Sequence, residues 1–360
     1  MKDSKIPVAE PDLNGNELDY VTDCIKSSWV SSKGEYIKKF EDAFSKYCNV
    51  KHSISTSNGT AALHLALIAL GIKEGDEVIV PNLTFIASAN TVKYCNAKPV
   101  FVDVDKETWN IDANKIEEKI TNKTKAIMPV HLYGSPCDMD KIMEIAKKHN
   151  LFVIEDCAEA HGAEYKGKKV GGFGNVACFS FFGNKIITTG EGGMCITNNN
   201  KLAEKMKILK DHGMSNTKRY WHPLVGYNYR MTNIQAAIGL AQLERIEDFI
   251  EIRRKNAQLY DSLLKNVKGI RLSIEKENTK NVYWMYSILL ENREEVMERL
   301  KEDGVDTRPF FYPINTMPPY KNDEKFPISK ELSKKGLNLP SSTLLDEKDI
   351  KRIVETIKRV

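Results

Sequence analysis

The 360-residue sequence has no apolar run close to the roughly 18 residues that cross a bilayer. Its first residues, MKDSKIPVAEPDL, contain no apolar core of signal-peptide length. We therefore expect a cytoplasmic protein without a membrane partner. The sequence also lacks a block of one charge, because the net charge is only +4 and acids alternate with bases in segments such as KKFEDAFSKY. This distribution gives no indication of a nucleic-acid partner.

Cysteine shows neither the pattern of a disulfide framework nor that of a metal site. The seven cysteines are an odd number without a C-x-x-C pair, and most of them lie inside apolar runs. Buried, reduced thiols are the expected state. The histidines also lack metal-ligand spacing, so no metal is predicted.

The sequence does contain a regular alternation of short apolar runs and amphipathic segments between about residues 50 and 200. Such alternation predicts an α/β fold with a mainly parallel sheet that helices cover on both faces. Ligands of these sheets bind at the carboxyl ends of the strands. Strands are predicted at 52–56, 76–81, 99–104, 125–132, 151–156, 176–182 and 194–199, and helical patterns at 112–120 and 139–150.

The rest of the chain predicts a second, smaller domain. Apolar residues at helical spacing over 232–266 indicate one long helix that links two domains. A strand at 283–290 and helices at 293–304 and near 346–358 follow, which is an α+β pattern. We expect an N-terminal segment with a large domain at 1–245 and a C-terminal domain at 246–360.

Residues 57–70, SNGTAALHLALIAL, predict a turn followed by an apolar helix. Gly59 and Thr60 then lie at the helix N-terminus, where free N–H groups and the helix dipole favour a phosphate. An ordinary helix cap would give the same pattern.

Asp156 is the last residue of one predicted strand, in LFVIEDCAEAHGA, and Lys185 follows another, in ACFSFFGNKIITTGEGG. A carboxylate at the end of a buried strand is costly unless it meets a cation or several donors, although Asp156 could instead cap the next turn. A partly desolvated lysine has a lowered pKa and can attack an aldehyde as a free amine. Pyridoxal 5′-phosphate would supply a phosphate for the turn at Gly59 and Thr60, a pyridinium cation for Asp156 and an aldehyde for Lys185.

Five motifs occur in order along the chain: SNGTAAL, PNLTFIASANTV, VIEDCAEAHGA, SFFGNKIITTGEGG and GYNYRMTNIQAAIG. From residue 6 to the end, this order resembles the DegT/DnrJ/EryC1/StrS family of sugar aminotransferases. The resemblance implies the fold type I (aspartate aminotransferase-like) fold of pyridoxal phosphate enzymes. It also implies a homodimer with active sites at the subunit interface.

The resemblance gives each matching residue a role. Lys185 would bind the cofactor covalently and move protons between cofactor and substrate. Asp156 would keep the pyridine nitrogen protonated, so that the ring accepts electrons, and Phe85 would stack on the ring. The phosphate would be bound by Gly59, Thr60, Ser180 and, from the neighbouring subunit, Asn228.

Glu159 departs from the commonest family pattern, because EDAAQA is replaced by EDCAEA at 155–160. A carboxyl group thus stands where an amide is expected near the phenolic oxygen of the cofactor. Two negative charges there would repel each other, so either Glu159 or the oxygen carries a proton. We expect Glu159 to shift the pH titration of the link between Lys185 and the cofactor.

The segments EDCAEA, TRPFFYPINTMPPY and SSWVSSKGEYIKKFE resemble the family members that convert GDP-4-keto-6-deoxymannose to GDP-perosamine with L-glutamate as donor. Members that act on UDP- or dTDP-linked keto-sugars have nearly the same cofactor motifs and are the alternative.

A dehydratase branch has a histidine where this chain has Lys185. Non-enzymatic regulators of this fold class carry a DNA-binding appendage that is not evident here. The product could enter O-antigen, another glycan or an antibiotic.

Six residues are candidates for substrate contact. Arg308 and the aromatic residues after it offer a cation for phosphate and faces for a base, but a packed loop would look the same. Arg230 is explained equally well by a structural ion pair. His161, after the aspartate motif, is expected behind the site or in the core. The six candidates are Trp29, Ser31, Arg230, Arg308, Phe310 and Tyr312.

Overall fold

The computed structural model describes residues 5–360. Within this range the helices are α1 (Glu17–Lys26), α2 (Glu35–Cys48), α3 (Gly59–Leu70), α4 (Ala87–Tyr94), α5 (Met139–Lys148), α6 (Asn200–Lys210), α7 (Asn233–Glu244), α8 (Ile246–Leu264), α9 (Arg293–Glu302), α10 (Pro327–Lys335) and α11 (Glu347–Lys358). The strands are β1 (His52–Thr56), β2 (Glu77–Pro81), β3 (Lys98–Val102), β4 (Thr124–Ile127), β5 (Phe152–Asp156), β6 (Glu164–Tyr165), β7 (Lys168–Lys169), β8 (Val176–Ser180), β9 (Gly193–Thr197), β10 (Ile270–Leu272), β11 (Thr279–Lys280), β12 (Tyr286–Leu290), β13 (Arg308–Pro309) and β14 (Gly336–Leu339).

The largest sheet has the strand order β1-β9-β8-β5-β4-β2-β3. β5 runs parallel to β4 and β8, whereas β9 is antiparallel to β1 and β8. The sheet is therefore mixed and mainly parallel, as predicted. Because Asp156 pairs with Cys178 in the β5–β8 register, Asp156 and Ser180 leave the sheet at the same edge. This edge is where a ligand is expected.

Helices cover both faces of this sheet, and each face has its own apolar core. On one face α3, which is apolar almost all round, packs against β8, β9, α4 and α6. On the other face α2 packs against α7 and contributes Phe40 and Phe44 to a cluster with Phe179 and Phe181 of the β8 region. These two layers fix the ends of β5 and β8.

A second sheet, antiparallel in the order β10-β12-β14-β13, belongs to the later part of the chain. Residues of α8, α9 and α11 pack against it in one apolar cluster. Ile6 joins the same cluster and forms a bridge with Val305, so the first described residues contact this region. The predicted division into 1–245 and 246–360 falls between α7 and α8 and stays a prediction.

Two helices replace the single long helix predicted at 232–266. They meet at Arg245, which leaves helical geometry with φ −113° and ψ 7°. Its guanidinium donates to both carboxylate oxygens of Asp12, each at 3.0 Å, and this pairing ties the junction to the N-terminal segment.

Residues 112–120 also differ from the helical prediction, because they form two short 3-10 turns, Ala113–Lys115 and Glu117–Lys119. Asp112 accepts a bond from the Asn114 N–H and caps the first turn, and a segment this short cannot sustain a helix by itself.

All seven cysteines are buried and free. Among residues 5–360, none of the helices combines the length and the apolar character required for a membrane span.

Candidate active site

The carboxyl ends of β5 and β8 open into a cavity of about 670 Å³. Its walls come from the large sheet, from the N-terminal ends of α3 and α4, and from the second sheet. The structure therefore brings motifs together that are far apart in the sequence. The predicted residues that line this cavity are Gly59, Thr60, Phe85, Asp156, Glu159, Ser180, Lys185 and Arg308.

The N-terminus of α3 forms one end of the cavity. Asn58 caps the helix, and its side chain accepts a bond of 2.8 Å from the Ala61 N–H. The N–H groups of Gly59 and Thr60 precede this bond and have no acceptor among the described residues. A Cβ on Gly59 would lie 2.6 Å from the Cβ of Ser180, so only glycine allows this approach. The free donors and the Ser180 hydroxyl fit a phosphate.

Asp156 is the last residue of β5 and is buried at the floor of the cavity. Ser88 Oγ donates to Oδ2 at 2.8 Å, and the Ala158 N–H donates to Oδ1 at 3.1 Å. Burial raises the pKa of Asp156 above its ordinary value, although these two bonds lower it in part. A protonated pyridine nitrogen would supply the cation that this carboxylate lacks.

Lys185 lies on the loop after β8, with Nζ 3.8 Å from the centroid of the Trp284 ring. The indole is fixed, because its Nε1–H donates to the Asn184 carbonyl at 2.7 Å. Burial lowers the pKa of Lys185, Glu159 and Asp156 raise it in part, and Arg308 lowers it further. The amine is therefore held ready to lose its proton, as a nucleophilic lysine requires.

Glu159 is buried beside Lys185. Its Oε2 accepts a bond of 2.7 Å from the N–H of Tyr133, a residue with a positive φ of 54°. Burial raises the pKa of Glu159 to about 7. The surroundings of Glu159 therefore favour its protonated form more than water does. The expectation that Glu159 and the cofactor oxygen are not both negatively charged stays a prediction.

The predicted substrate residues of the loop after α9 divide into three cases. Arg308, at the start of β13, lines the cavity. Phe310 is 1% exposed and packs against Trp109 and Tyr133, which places it in the core and corrects the expectation of substrate contact. Tyr312 is exposed but does not line the cavity.

The remaining candidates lie outside the cavity of this chain. Asn228 is exposed and accepts a bond of 3.0 Å from Arg230 Nε. Arg230 also forms an ion pair with Asp211 at 2.9 Å, which is the structural explanation foreseen for it. The carbonyls of Trp29 and Ser31 accept bonds from the Asn233 side chain and N–H.

His161 is fully buried between Phe179 and Phe181, behind the cavity wall, as expected. Burial lowers the pKa of His161 to about 3, so the ring is neutral. Neither ring nitrogen has a hydrogen-bond partner among the described residues.

Sequence reasoning missed several residues that shape the site. Ser88 lies in the quoted motif PNLTFIASANTV, and its position one helical turn after Phe85 was a usable signal. Trp284 and Tyr133 carry no such signal, because they reach Lys185 and Glu159 only through tertiary folding. Phe311, one of the aromatic residues expected beside Arg308, does line the cavity.

The chain resembles known proteins over nearly its whole length. A model of the DegT/DnrJ/EryC1/StrS aminotransferase family matches residues 11–358. The chain belongs to this family. Membership confirms the predicted fold, the enzyme class and the pyridoxal phosphate cofactor of this aminotransferase.

Two relatives of this chain are GDP-perosamine synthases, and a solved structure also resembles it. It is 54% identical to GDP-perosamine synthase of Escherichia coli O157:H7, over 98% of this chain and 97% of the relative. It is 52% identical to GDP-perosamine synthase of Caulobacter vibrioides, over 99% and 98%. Among solved structures, the putative sugar aminotransferase Spr1654 of Streptococcus pneumoniae in its PMP form has a TM-score of 0.94 and 29% identity, over 99% and 97%.

Proposed function

We propose that this aminotransferase transfers the amino group of L-glutamate to C4 of GDP-4-keto-6-deoxymannose and so produces GDP-perosamine. The observation that carries the choice of substrate is the identity of 52–54% to two GDP-perosamine synthases over nearly the full chain. The cavity supports the chemistry, because it combines an amine, a buried acid and a helix N-terminus. An aminotransferase for a UDP- or dTDP-linked keto-sugar is the alternative.

The cavity fits pyridoxal phosphate at both of its polar ends. The Gly59 and Thr60 N–H groups and the Ser180 hydroxyl would hold the phosphate, while Asp156 would hold a proton at the ring nitrogen. When bound, the cofactor supplies an aldehyde that carries the amino group and a ring that accepts electrons from the substrate carbon. Phe85, 54% exposed at the cavity wall, would cover a face of that ring.

Lys185 would move the protons of both half-reactions. Its lowered pKa provides a neutral amine, which would accept the proton from Cα of glutamate and become an ammonium group. In the second half-reaction the ammonium form of Lys185 would deliver a proton to C4 of the sugar and return to the amine. The Trp284 ring under Nζ restricts where this amine can go. Glu159 lies close enough to stabilise the charge that Lys185 gains on accepting a proton.

The enzyme would act as a homodimer. The cavity lining contains no residue of GYNYR except Tyr229. Asn228 does not line it, and its Oδ1 accepts a bond from Arg230 Nε. Exposed apolar side chains precede this motif, with Tyr220 and Val225 74% and 91% exposed. A second copy that covers them would deliver Asn228 to the neighbouring phosphate site.

The assignment is tested with the purified enzyme, L-glutamate and a panel of GDP-, UDP- and dTDP-linked 4-keto-6-deoxy sugars, read by product mass and by 2-oxoglutarate formed. We expect amination of the GDP-linked mannose derivative with one 2-oxoglutarate per product. Preference for a UDP or dTDP sugar would replace the proposed acceptor. Consumption of the keto-sugar without stoichiometric 2-oxoglutarate would indicate a dehydratase instead.

A further inference from the structure

We propose that Arg308 binds the α-carboxylate of the amino donor and thereby makes the first half-reaction specific for an α-amino acid. The inference depends on the proposed function only for the glutamate donor. It is independent of which sugar accepts the amino group.

The donor brings a carboxylate into a cavity that offers few cations. The lysine and arginine side chains among its lining residues are Lys185 and Arg308. Lys185 is committed to the cofactor and to proton transfer. His64 also lines the cavity, but burial lowers its pKa and its Nδ1 is bonded to the Tyr229 hydroxyl at 2.9 Å. Among the residues that this chain itself contributes to the cavity, Arg308 is therefore the cation left for an anionic substrate group.

Arg308 has no counterion within residues 5–360. No carboxylate lies within 4.0 Å of its guanidinium, and the side chain donates no hydrogen bond to another described residue. Some arginines outside the cavity do have acidic partners, such as Arg245 with Asp12 and Arg254 with Glu275. A guanidinium that faces a cavity without an acidic partner is free to bind a carboxylate through two parallel bonds.

The backbone at Arg308 is held firmly, so the guanidinium is presented from a fixed base. β13 pairs with β14, where Arg308 is opposite Asn338. Two residues later, the Phe310 N–H donates to the Gly336 carbonyl at 3.1 Å, and the Phe310 ring fills the space above Gly336, where a Cβ would lie 2.1 Å from the ring. The buried Phe310 thus anchors the strand that carries Arg308.

The position of Arg308 favours the donor carboxylate over the sugar diphosphate. The charge of Arg308 acts on Lys185 inside the same cavity and contributes to its lowered pKa. Lys185 must reach Cα of the donor, and the α-carboxylate is bonded to that carbon. In the keto-sugar, by contrast, the diphosphate is attached to C1, across the ring from the reacting C4. Because Arg308 lines the same cavity as Lys185, its guanidinium faces the space that the donor carboxylate enters.

The test compares two donors in the first half-reaction of the holoenzyme, followed by the absorbance of the bound cofactor. L-Glutamate carries the α-carboxylate, and 4-aminobutyrate is the same molecule without it. We expect Arg308→Gln to lower the second-order rate constant for glutamate about 10- to 100-fold and to leave that for 4-aminobutyrate within about twofold. Arg308→Lys should recover part of the loss, since it keeps the charge without the two-bond geometry.

Arg299→Gln is the matched control, because Arg299 is an exposed arginine on α9 paired with Glu302, outside the cavity. It should leave both rate constants unchanged. Glutarate, which cannot react, gives a second readout by calorimetry, and its affinity should fall about tenfold in Arg308→Gln. Arg308→Lys gives the same donor comparison if Arg308→Gln does not fold.

Three results would overturn the inference. Equal losses with both donors would show that Arg308 supports the cavity and not the carboxylate. An unchanged glutamate rate with a raised KM for the keto-sugar would assign Arg308 to the diphosphate. No sugar is present in the half-reaction, so a wrong acceptor leaves the measurement valid, whereas a wild-type enzyme inert to glutamate refutes the donor and the inference together.

Discussion

Glu155 and Asp156 are neighbours on β5, yet their carboxylates have opposite surroundings. Glu155 accepts three backbone N–H bonds of 2.7–2.8 Å from residues 171–174 and a bond of 3.3 Å from His131 Nε2. Burial by itself would raise the pKa of Glu155, but these donors lower it below its ordinary value. Asp156 has only Ser88 and the Ala158 N–H, and burial raises its pKa.

This difference separates a structural charge from a functional one. The donors around Glu155 are all supplied by the chain, so its charge needs no ligand and ties a loop to the sheet. The side chains of Asp156 and Lys185, on the cavity side, remain short of partners within the described residues. Buried charges that the fold leaves unsatisfied are the ones available to a cofactor and a substrate.

The largest expected effect is that of Lys185→Ala. Loss of the amine should lower kcat by at least about 10³-fold, because no other described group at that position can move the proton. Borohydride should no longer fix the cofactor to the protein. Lys210→Ala is the control, since Lys210 is bonded to the Ser55 carbonyl at 2.8 Å and paired with Glu41, and it should keep turnover. Normal turnover of Lys185→Ala would refute the mechanism.

Asp156→Asn should reduce kcat about 100-fold or more while leaving the melting temperature of the cofactor-free protein unchanged or higher. The amide cannot hold a proton at the ring nitrogen, but it also removes a poorly satisfied buried charge. Turnover and thermal unfolding of the same preparation check both parts. A stability loss as large as that of Glu155→Gln would erase the contrast between the two carboxylates.

Glu155→Gln should destabilise the protein by about 2 kcal/mol at neutral pH, since it leaves donors of residues 171–174 and His131 without their anion. The pKa of Glu155 is lowered on folding, so its contribution is present above the unfolded pKa and is lost as the pH falls through the folded one. Denaturant unfolding at neutral and at acid pH measures this. A penalty that grows in acid would contradict the assignment.

The fold was predictable where local pattern decides. Alternating apolar runs located the strands of the large sheet, and SNGTAAL located the helix that begins at Gly59. The break at Arg245 was not predictable, because the partner that Arg245 binds at this junction, Asp12, is far away in sequence. The different positions of Phe310 and Phe311 were not predictable either. Phe310 is buried in the core and Phe311 lines the cavity, and both follow β13, which pairs with the distant strand β14.

Glu159 is intermediate between the structural acid Glu155 and the functional acid Asp156, because it has one backbone donor and Lys185 nearby. The variant Glu159→Gln tests which of the two it resembles. In the cofactor-free protein its pKa is raised from 4.5 to about 7. Folding therefore favours the protonated acid, and the stability it contributes should fall as the pH rises from about 4.5 through 7. Unfolding curves of Glu159→Gln across this window should lack that decline.

The smallest effect is expected in the holoenzyme, where Glu159→Gln should shift the pH titration of the cofactor absorbance by about one unit. The carboxyl group opposes negative charge on the phenolic oxygen, and the neutral amide does not. Glu191→Gln removes an exposed carboxylate from the rim of the same cavity and should shift nothing. If the titrations of Glu159→Gln and wild type coincide, the proton near the oxygen is not controlled by Glu159, and this residue belongs with Glu155 as a structural acid.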